Sequence, residues 1–206
     1  MKPIDLDAVE KAVAHAETRT CAELIVVINR QSGSYLDREL LQAAAWALLA
    51  LLVMVYSPWT FAEPLWVPPD ILLVGLAAFA ATRLVPLWRR AMLGRGRQDR
   101  QVRLHARNAF HVLNVTGTRD RTGVLIYLSY LEDRTLILPD FGVEAKVEPA
   151  IWLGILDRAG SISGHHNPTL ALCGLIEECA KVLAERLPPK DSNPDELPNR
   201  PRLEVY

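Results

Sequence analysis

The chain has 206 residues, room for one compact domain with an insertion but not for two domains of ordinary size. Its 23 basic and 24 acidic side chains leave a net charge of -1, which argues against a global nucleic-acid-binding surface. Cys21, Cys173 and Cys179 make an odd count without CxxC spacing, so buried reduced thiols are expected rather than a disulfide framework or a structural zinc site.

The opening stretch MKPIDLDAVEKAVAHAETRT has no apolar core of a secretion signal, so no cleaved leader is expected. From Ile4 to about Glu17, Leu6, Val9, Ala12, Val13 and Ala16 recur near helical spacing, and Asp5 and Asp7 fall where the helix dipole favours acids. That pattern predicts an amphipathic helix. The β-branched run Leu24 to Ile28 then predicts a buried strand.

Composition changes sharply at Leu40. The stretches Leu40 to Tyr56 and Ile71 to Trp88 each approach the roughly 20 residues that cross a hydrocarbon core of about 30 Å. A soluble helix keeps a polar stripe for water, whereas Ala43 to Tyr56 is apolar on every face, so two transmembrane helices are expected rather than a pair of core helices. The four prolines of the connection SPWTFAEPLWVPPD turn the chain, and Trp59 and Trp66 suit a headgroup region. Arg83 lies about two turns from the end of the second stretch and is expected to snorkel outward.

Charge orients the hairpin. Arg89, Arg90, Arg95, Arg97, Arg100, Arg103 and Arg107 follow the second stretch, and Arg30 and Arg38 precede the first, while the connection carries Glu63 and Asp70 and no base. The positive-inside rule then predicts a two-pass inner-membrane protein with both termini and the remaining domain in the cytoplasm. The arginine run has no aromatic before Phe110 for stacking on bases, so the lipid bilayer, not nucleic acid, is its expected partner.

Beyond the arginines, a helix is expected from about Asp99, with Val102, Ala106, Phe110, Val112 and Leu113 on its apolar side. Gly123 to Tyr130 and Thr135 to Leu138, joined by Glu132, Asp133 and Arg134, read as a β-hairpin. Gly123 suits a tight approach, and Gly142 a change of direction before the next helix. Helices follow at Pro149 to Arg158 and Pro168 to Arg186, the latter with Leu170, Leu172, Leu175, Ile176, Ala180 and Leu183 as its apolar stock. The proline-rich end is expected to be extended or weakly ordered. The divisions are thus 1–38, a transmembrane hairpin at 39–92, 93–188, and a polar tail at 189–206, with a small sheet of three or slightly more strands packed by helices.

The order of elements, TRTCAELIVVI from Thr18 to Ile28, RTGVLIYLSYLEDRTLILPDFGVEAKV from Arg121 to Val147, and NPDELPNRP near the C-terminus resemble the TPM-domain family, specifically a bacterial membrane branch with a helical hairpin inside the domain. The resemblance spans nearly the whole chain, and its middle motif is the most specific. It implies an α/β/α sandwich with a small mixed sheet, and some TPM domains are described as acid phosphatases or divalent-metal binders.

For such chemistry the candidates are Glu23, Asp133, Asp140 and Glu144, carboxylates at strand ends that could hold Ca²⁺ or Mg²⁺ if they converged. Glu23 either sits at the strand mouth in water or pairs with a base such as Arg121. His165 and His166 are adjacent in a loop with no neighbouring acid or cysteine, and a surface role is expected. No GxGxxG, P-loop, HExxH or GxSxG pattern occurs, so no organic cofactor is expected. The reading that follows is a non-catalytic membrane-tethered interaction or scaffold module with a membrane or cytoplasmic protein partner. The alternative is a divalent-cation-dependent phosphatase.

Overall fold

The computed structural model describes residues 3–56, 67–85, 94–190 and 196–204. In chain order the elements are α1 (Leu6–Glu17), β1 (Glu23–Asn29), α2 (Leu36–Tyr56), α3 (Val67–Leu84), α4 (Arg95–Val112), a 3-10 turn (Val115–Gly117), β2 (Gly123–Ser129), β3 (Arg134–Pro139), α5 (Phe141–Glu144), α6 (Pro149–Ala159), α7 (Pro168–Arg186) and β4 (Arg202–Glu204). The chain divides into two compact units, Met1–Gly33 with Asp99–Tyr206, and Ser34–Gln98.

The first unit is a mixed four-stranded sheet in the order β3-β2-β1-β4. Strand β1 is parallel to β2, with Glu23 opposite Gly123 and Asn29 opposite Ser129, and β2 and β3 form the expected antiparallel hairpin. Every residue of β1 and β2 is buried, because helices cover both faces and neither strand needs a polar side. Leu24, Val26, Ile28, Val124, Ile126 and Leu128 pack with Val9 and Val13 of α1, Trp152 and Ile155 of α6, and Leu172, Leu175 and Ile176 of α7. On the other face Ile25, Val27, Leu125 and Tyr127 pack with Val102, Ala106 and Ala109 of α4. The result is the expected three-layer α/β/α sandwich.

Two side-chain assignments change. Leu170 is exposed, since it lies two residues, over half a helical turn, from the stripe Leu172, Leu175, Ile176, Cys179, Ala180 and Leu183 that faces the sheet. Val112 is likewise exposed, and Ala109 takes the buried position on α4 instead. Cys21 and Cys179 are buried and Cys173 half-buried, all three free, and burial pushes the Cys179 thiol up to about 12. The Arg19 guanidinium ties α1 to α7 through paired bonds of 2.8 and 2.6 Å to Glu177, whose carboxyl it holds below the usual range.

The C-terminal stretch adds a strand where only an extended or weakly ordered tail was expected. Arg202, Leu203 and Glu204 lie parallel to Val27, Ile28 and Asn29, and Leu197 is buried on the way. The strand exists because the edge of β1 offers unpaired backbone groups, not because its own residues have strand character.

The second unit is an antiparallel pair of helices. Glu39 meets Arg83, Gln42 meets Thr82, and Gly75 lies against Ala43 and Ala47, so the contacts run in reverse order along the two helices. At 1.5 Å per residue, α2 is roughly 31 Å long and α3 roughly 27 Å. Helix α3 starts at Val67, four residues before the apolar run, because Pro68 and Pro69 fit a first turn whose N–H groups have no helical acceptor. It ends at Leu84, two residues before Pro86, which disfavours helical geometry just ahead of it, and the expected run from Pro86 to Trp88 lies outside the described residues.

Gly142 has a demanding position. A Cβ there would lie 2.4 Å from the Asp120 carbonyl oxygen and 2.7 Å from that of Arg121, both backbone atoms. Gly142→Ala is therefore expected to destabilise the domain by about 1–3 kcal/mol through backbone displacement, read as a lower unfolding midpoint in mild detergent.

Candidate functional site at the root of the hairpin

The parallel pair β1 and β2 ends with Asn29 opposite Ser129, a polar residue closing each apolar strand. In open α/β sheets this carboxyl edge is where functional groups gather. Here it carries a buried network of five side chains. The Asn29 amide donates to the Tyr127 hydroxyl at 2.9 Å, and the Ser32 hydroxyl lies 2.9 Å from that same oxygen. Ser32 donates to Ser129 at 2.7 Å, and Ser129 donates to the Glu132 carboxylate at 2.5 Å. The other oxygen of Glu132 accepts the Ser32 backbone N–H at 3.0 Å. Asn29, Ser32, Tyr127 and Ser129 are wholly buried and Glu132 is 3% exposed.

The network secures the place where the hairpin leaves the domain. Ser32 is the second-last residue of the first unit before the chain departs at Gly33. Backbone bonds reinforce it, because Tyr130 N–H donates to Asn29 and Leu131 N–H to Arg30. The chain returns at Asp99, and the carboxylate of that residue accepts from Arg134 at 2.8 Å. A Cβ on Gly33 would lie 3.1 Å from Cγ and 3.3 Å from Cβ of Gln101, so departure and return are side by side. The five residues from Tyr130 to Arg134 thus hold both ends of the insertion, one through Glu132 and the other through Arg134.

Asp133, between those two, has the left-handed φ of 52° that Asp tolerates in tight turns. Its carboxylate accepts from the Ser161 hydroxyl at 2.7 and 2.6 Å and from Ser163 at 2.5 Å. These bonds tie the turn to the loop before α7, which also contains His165 and His166. His165 Nδ1 lies 3.2 Å from the Asn167 N–H, within its own loop.

The β2–β3 reversal separates the four carboxylates considered for a metal. Asp133 is at the turn, one strand length or roughly 20 Å from the end of β3 where Asp140 follows. Asp140 is 4% exposed, caps α5 by accepting the Phe141 N–H, and accepts the Arg121 guanidinium at 2.7 and 2.9 Å. The pairing expected between Arg121 and Glu23 is therefore replaced by one between Arg121 and Asp140, which raises the Arg121 pKa. Glu23 is buried rather than at a wet strand mouth, and its carboxylate accepts the Leu197 N–H at 3.3 Å, seating the C-terminal stretch. Glu144 is exposed on α5. Among the described residues no three His, Cys, Asp or Glu side chains form a metal-sized group.

Within the hairpin unit, Arg83 does more than reach outward. Its guanidinium pairs with Glu39 at 2.9 Å and sits 4.7 Å over the ring of Phe79, while Glu39 is 2% exposed. Beside it the Thr82 hydroxyl donates to Gln42 at 3.0 Å. Arg97 pairs with Asp37 at 2.8 Å, and Arg95 is exposed. Trp59, Trp66, Arg89 and Arg90 lie outside the described residues. Both α2 and α3 are long and apolar enough to cross a membrane, and little of either is buried within the protein. Leu41, Leu48, Val55, Leu72, Leu73 and Leu76 are exposed, far more apolar surface than a soluble domain presents.

The fold is that of an α/β domain with a paired-helix insertion, and its resemblance to known structures is correspondingly at the level of fold. The NMR structure of the BA42 protein from the psychrophilic bacterium Bizionia argentinensis aligns with a TM-score of 0.58 over 98% of this chain and 95% of that one, at 17% identity. No family model and no curated protein matches the sequence.

The clasp generates a stability prediction. A hydrogen bond to a charged group contributes about 1.5–3 kcal/mol, so Glu132→Ala, which removes the acceptor of both Ser32 and Ser129, is expected to cost about 2–4 kcal/mol. Glu132→Gln retains one acceptor oxygen and should fall between the two. Thermal unfolding in mild detergent gives the order, and proteolysis at Gly33 should accelerate in the same order.

Proposed function

We propose that this is a two-pass protein of the bacterial inner membrane, belonging to the membrane branch of the TPM-domain family, whose α/β domain is a non-catalytic interaction or scaffold module at the cytoplasmic face. The observation that carries the reading is the place of the insertion in the α/β domain. A pair of lipid-length apolar helices is inserted between β1 and β2, and the β2–β3 turn holds the departing end through the buried Glu132 network and the returning end through the partly exposed Arg134–Asp99 pair.

Two further observations support it. Glu23, Asp133 and Asp140 already serve the fold, as seat for the tail, tie to the Ser161 loop, and cap of α5. Arg30 before α2, Arg38 in its first turn, and Arg95 and Arg97 after α3 put basic residues on the side of the termini, in accord with a cytoplasmic domain. An interaction module also fits the exposed Phe141 and Leu153 outside the hairpin.

Reporter fusions test the topology. A periplasm-active reporter at Glu63 and a cytoplasm-active reporter at the C-terminus should both be active, and activity with the locations exchanged would overturn the orientation. Co-purification in mild detergent should bring down a protein partner. Phosphomonoester hydrolysis by the purified chain with divalent cations, lost in Asp140→Asn, would contradict the non-catalytic reading.

A further inference from the structure

Helix α4 carries five arginines and one acid over its 18 residues, and that acid, Asp99, is taken by Arg134. Several arginines elsewhere in the protein have carboxylate partners: Arg19 with Glu177, Arg83 with Glu39, Arg121 with Asp140, Arg134 with Asp99. Within α4, Arg97 is paired with Asp37. Arg100, Arg103 and Arg107 are exposed, and among the described residues no carboxylate lies within ion-pair distance of them.

At 100° per residue these three fall within about 60° of one another, opposite the Val102, Ala106 and Ala109 face that packs on the sheet. They span roughly 10 Å along the axis, comparable to the Debye length at physiological salt. Leu104 lies on the same stripe and is 55% exposed. A stripe built for nucleic acid would interleave aromatic side chains, and the nearest, Phe110, is half-buried and edge-on to His111. Arginines flanking an exposed aliphatic side chain instead match a headgroup layer with acyl chains beneath it.

We propose that the outer face of α4, through Arg100, Arg103 and Arg107 with Leu104 between them, docks on anionic phospholipid headgroups of the bilayer. This rests on the membrane reading above, and it adds that the domain itself, beyond its hairpin, is a lipid-reading surface. Chain connectivity favours it, since Arg100 directly follows the residue at which the chain returns to the domain. An arginine near an anionic surface contributes about 1 kcal/mol, roughly a fivefold shift, so three together shift docking by about a hundredfold.

The test uses the full chain in nanodiscs of phosphatidylcholine alone or enriched in phosphatidylglycerol, with amide hydrogen exchange read over 100–112. Exchange is expected to slow severalfold in the anionic discs. High salt or the triple variant Arg100→Gln, Arg103→Gln, Arg107→Gln should abolish the effect, while β2 exchange stays unchanged as proof of folding. Equal exchange in the two lipids overturns the proposal. So does protection by a single-stranded oligonucleotide in neutral discs that matches or exceeds that from anionic lipid. A chain that stays in the aqueous fraction would sink the membrane reading and this one together, whereas an inserted chain indifferent to lipid charge sinks this one alone.

Discussion

The contact on which the rest depends is the grip of the Glu132 carboxylate on Ser32, N–H to one oxygen and, through Ser129, hydroxyl to the other. Inserting more than sixty residues between two adjacent parallel strands opens a long loop, whose closure entropy grows with the logarithm of its length. The structure meets that cost in two places. Helices α2 and α3 pack against each other so that the insertion returns on itself, and the β2–β3 turn receives both ends, with Gly33 beside Gln101. Once those ends are secured, β1 and β2 can pair as though nothing separated them.

The polar groups in this clasp are buried, and buried polar groups stabilise only when satisfied. Asn29, Tyr127, Ser32, Ser129 and Glu132 satisfy one another in a chain of short bonds. Such a network specifies geometry more strictly than apolar packing, because a displaced member leaves a neighbour without a partner. The turn therefore carries two assignments that sequence spacing alone would give to a loop: it reverses the sheet, and it positions the point from which the hairpin departs.

Much of the fold was legible because each signal was local. The runs around Ile25 and Ile126 are continuous in apolar residues since helices cover both faces, and α7 announces itself by a stripe ending at Pro188. The hairpin is written in composition. Strand β4 was not legible, because Arg202 to Glu204 has no strand character and forms only where β1 offers an edge. The clasp was hidden for a different reason: its members lie at 29, 32, 127, 129 and 132, scattered over two strand ends and two loops, and only the register of Asn29 with Ser129 joins them. The available signal was a polar residue closing each apolar strand. The separation of Asp133 from Asp140, by contrast, already follows from the β-hairpin, since one sits at its turn and the other past its far end. Glu23 could not be placed without knowing where Leu197 goes.

The two ends of the hairpin insertion, Gly33 and Gln101, are held side by side at the β2–β3 turn. Cysteines at Gly33 and Gln101, in a full chain whose native cysteines are replaced, test this directly. Mild oxidation should give a near-quantitative intramolecular disulfide, seen as a shift on non-reducing gels, and Glu132→Ala should lower its yield. Failure to cross-link in the otherwise folded protein would contradict the account.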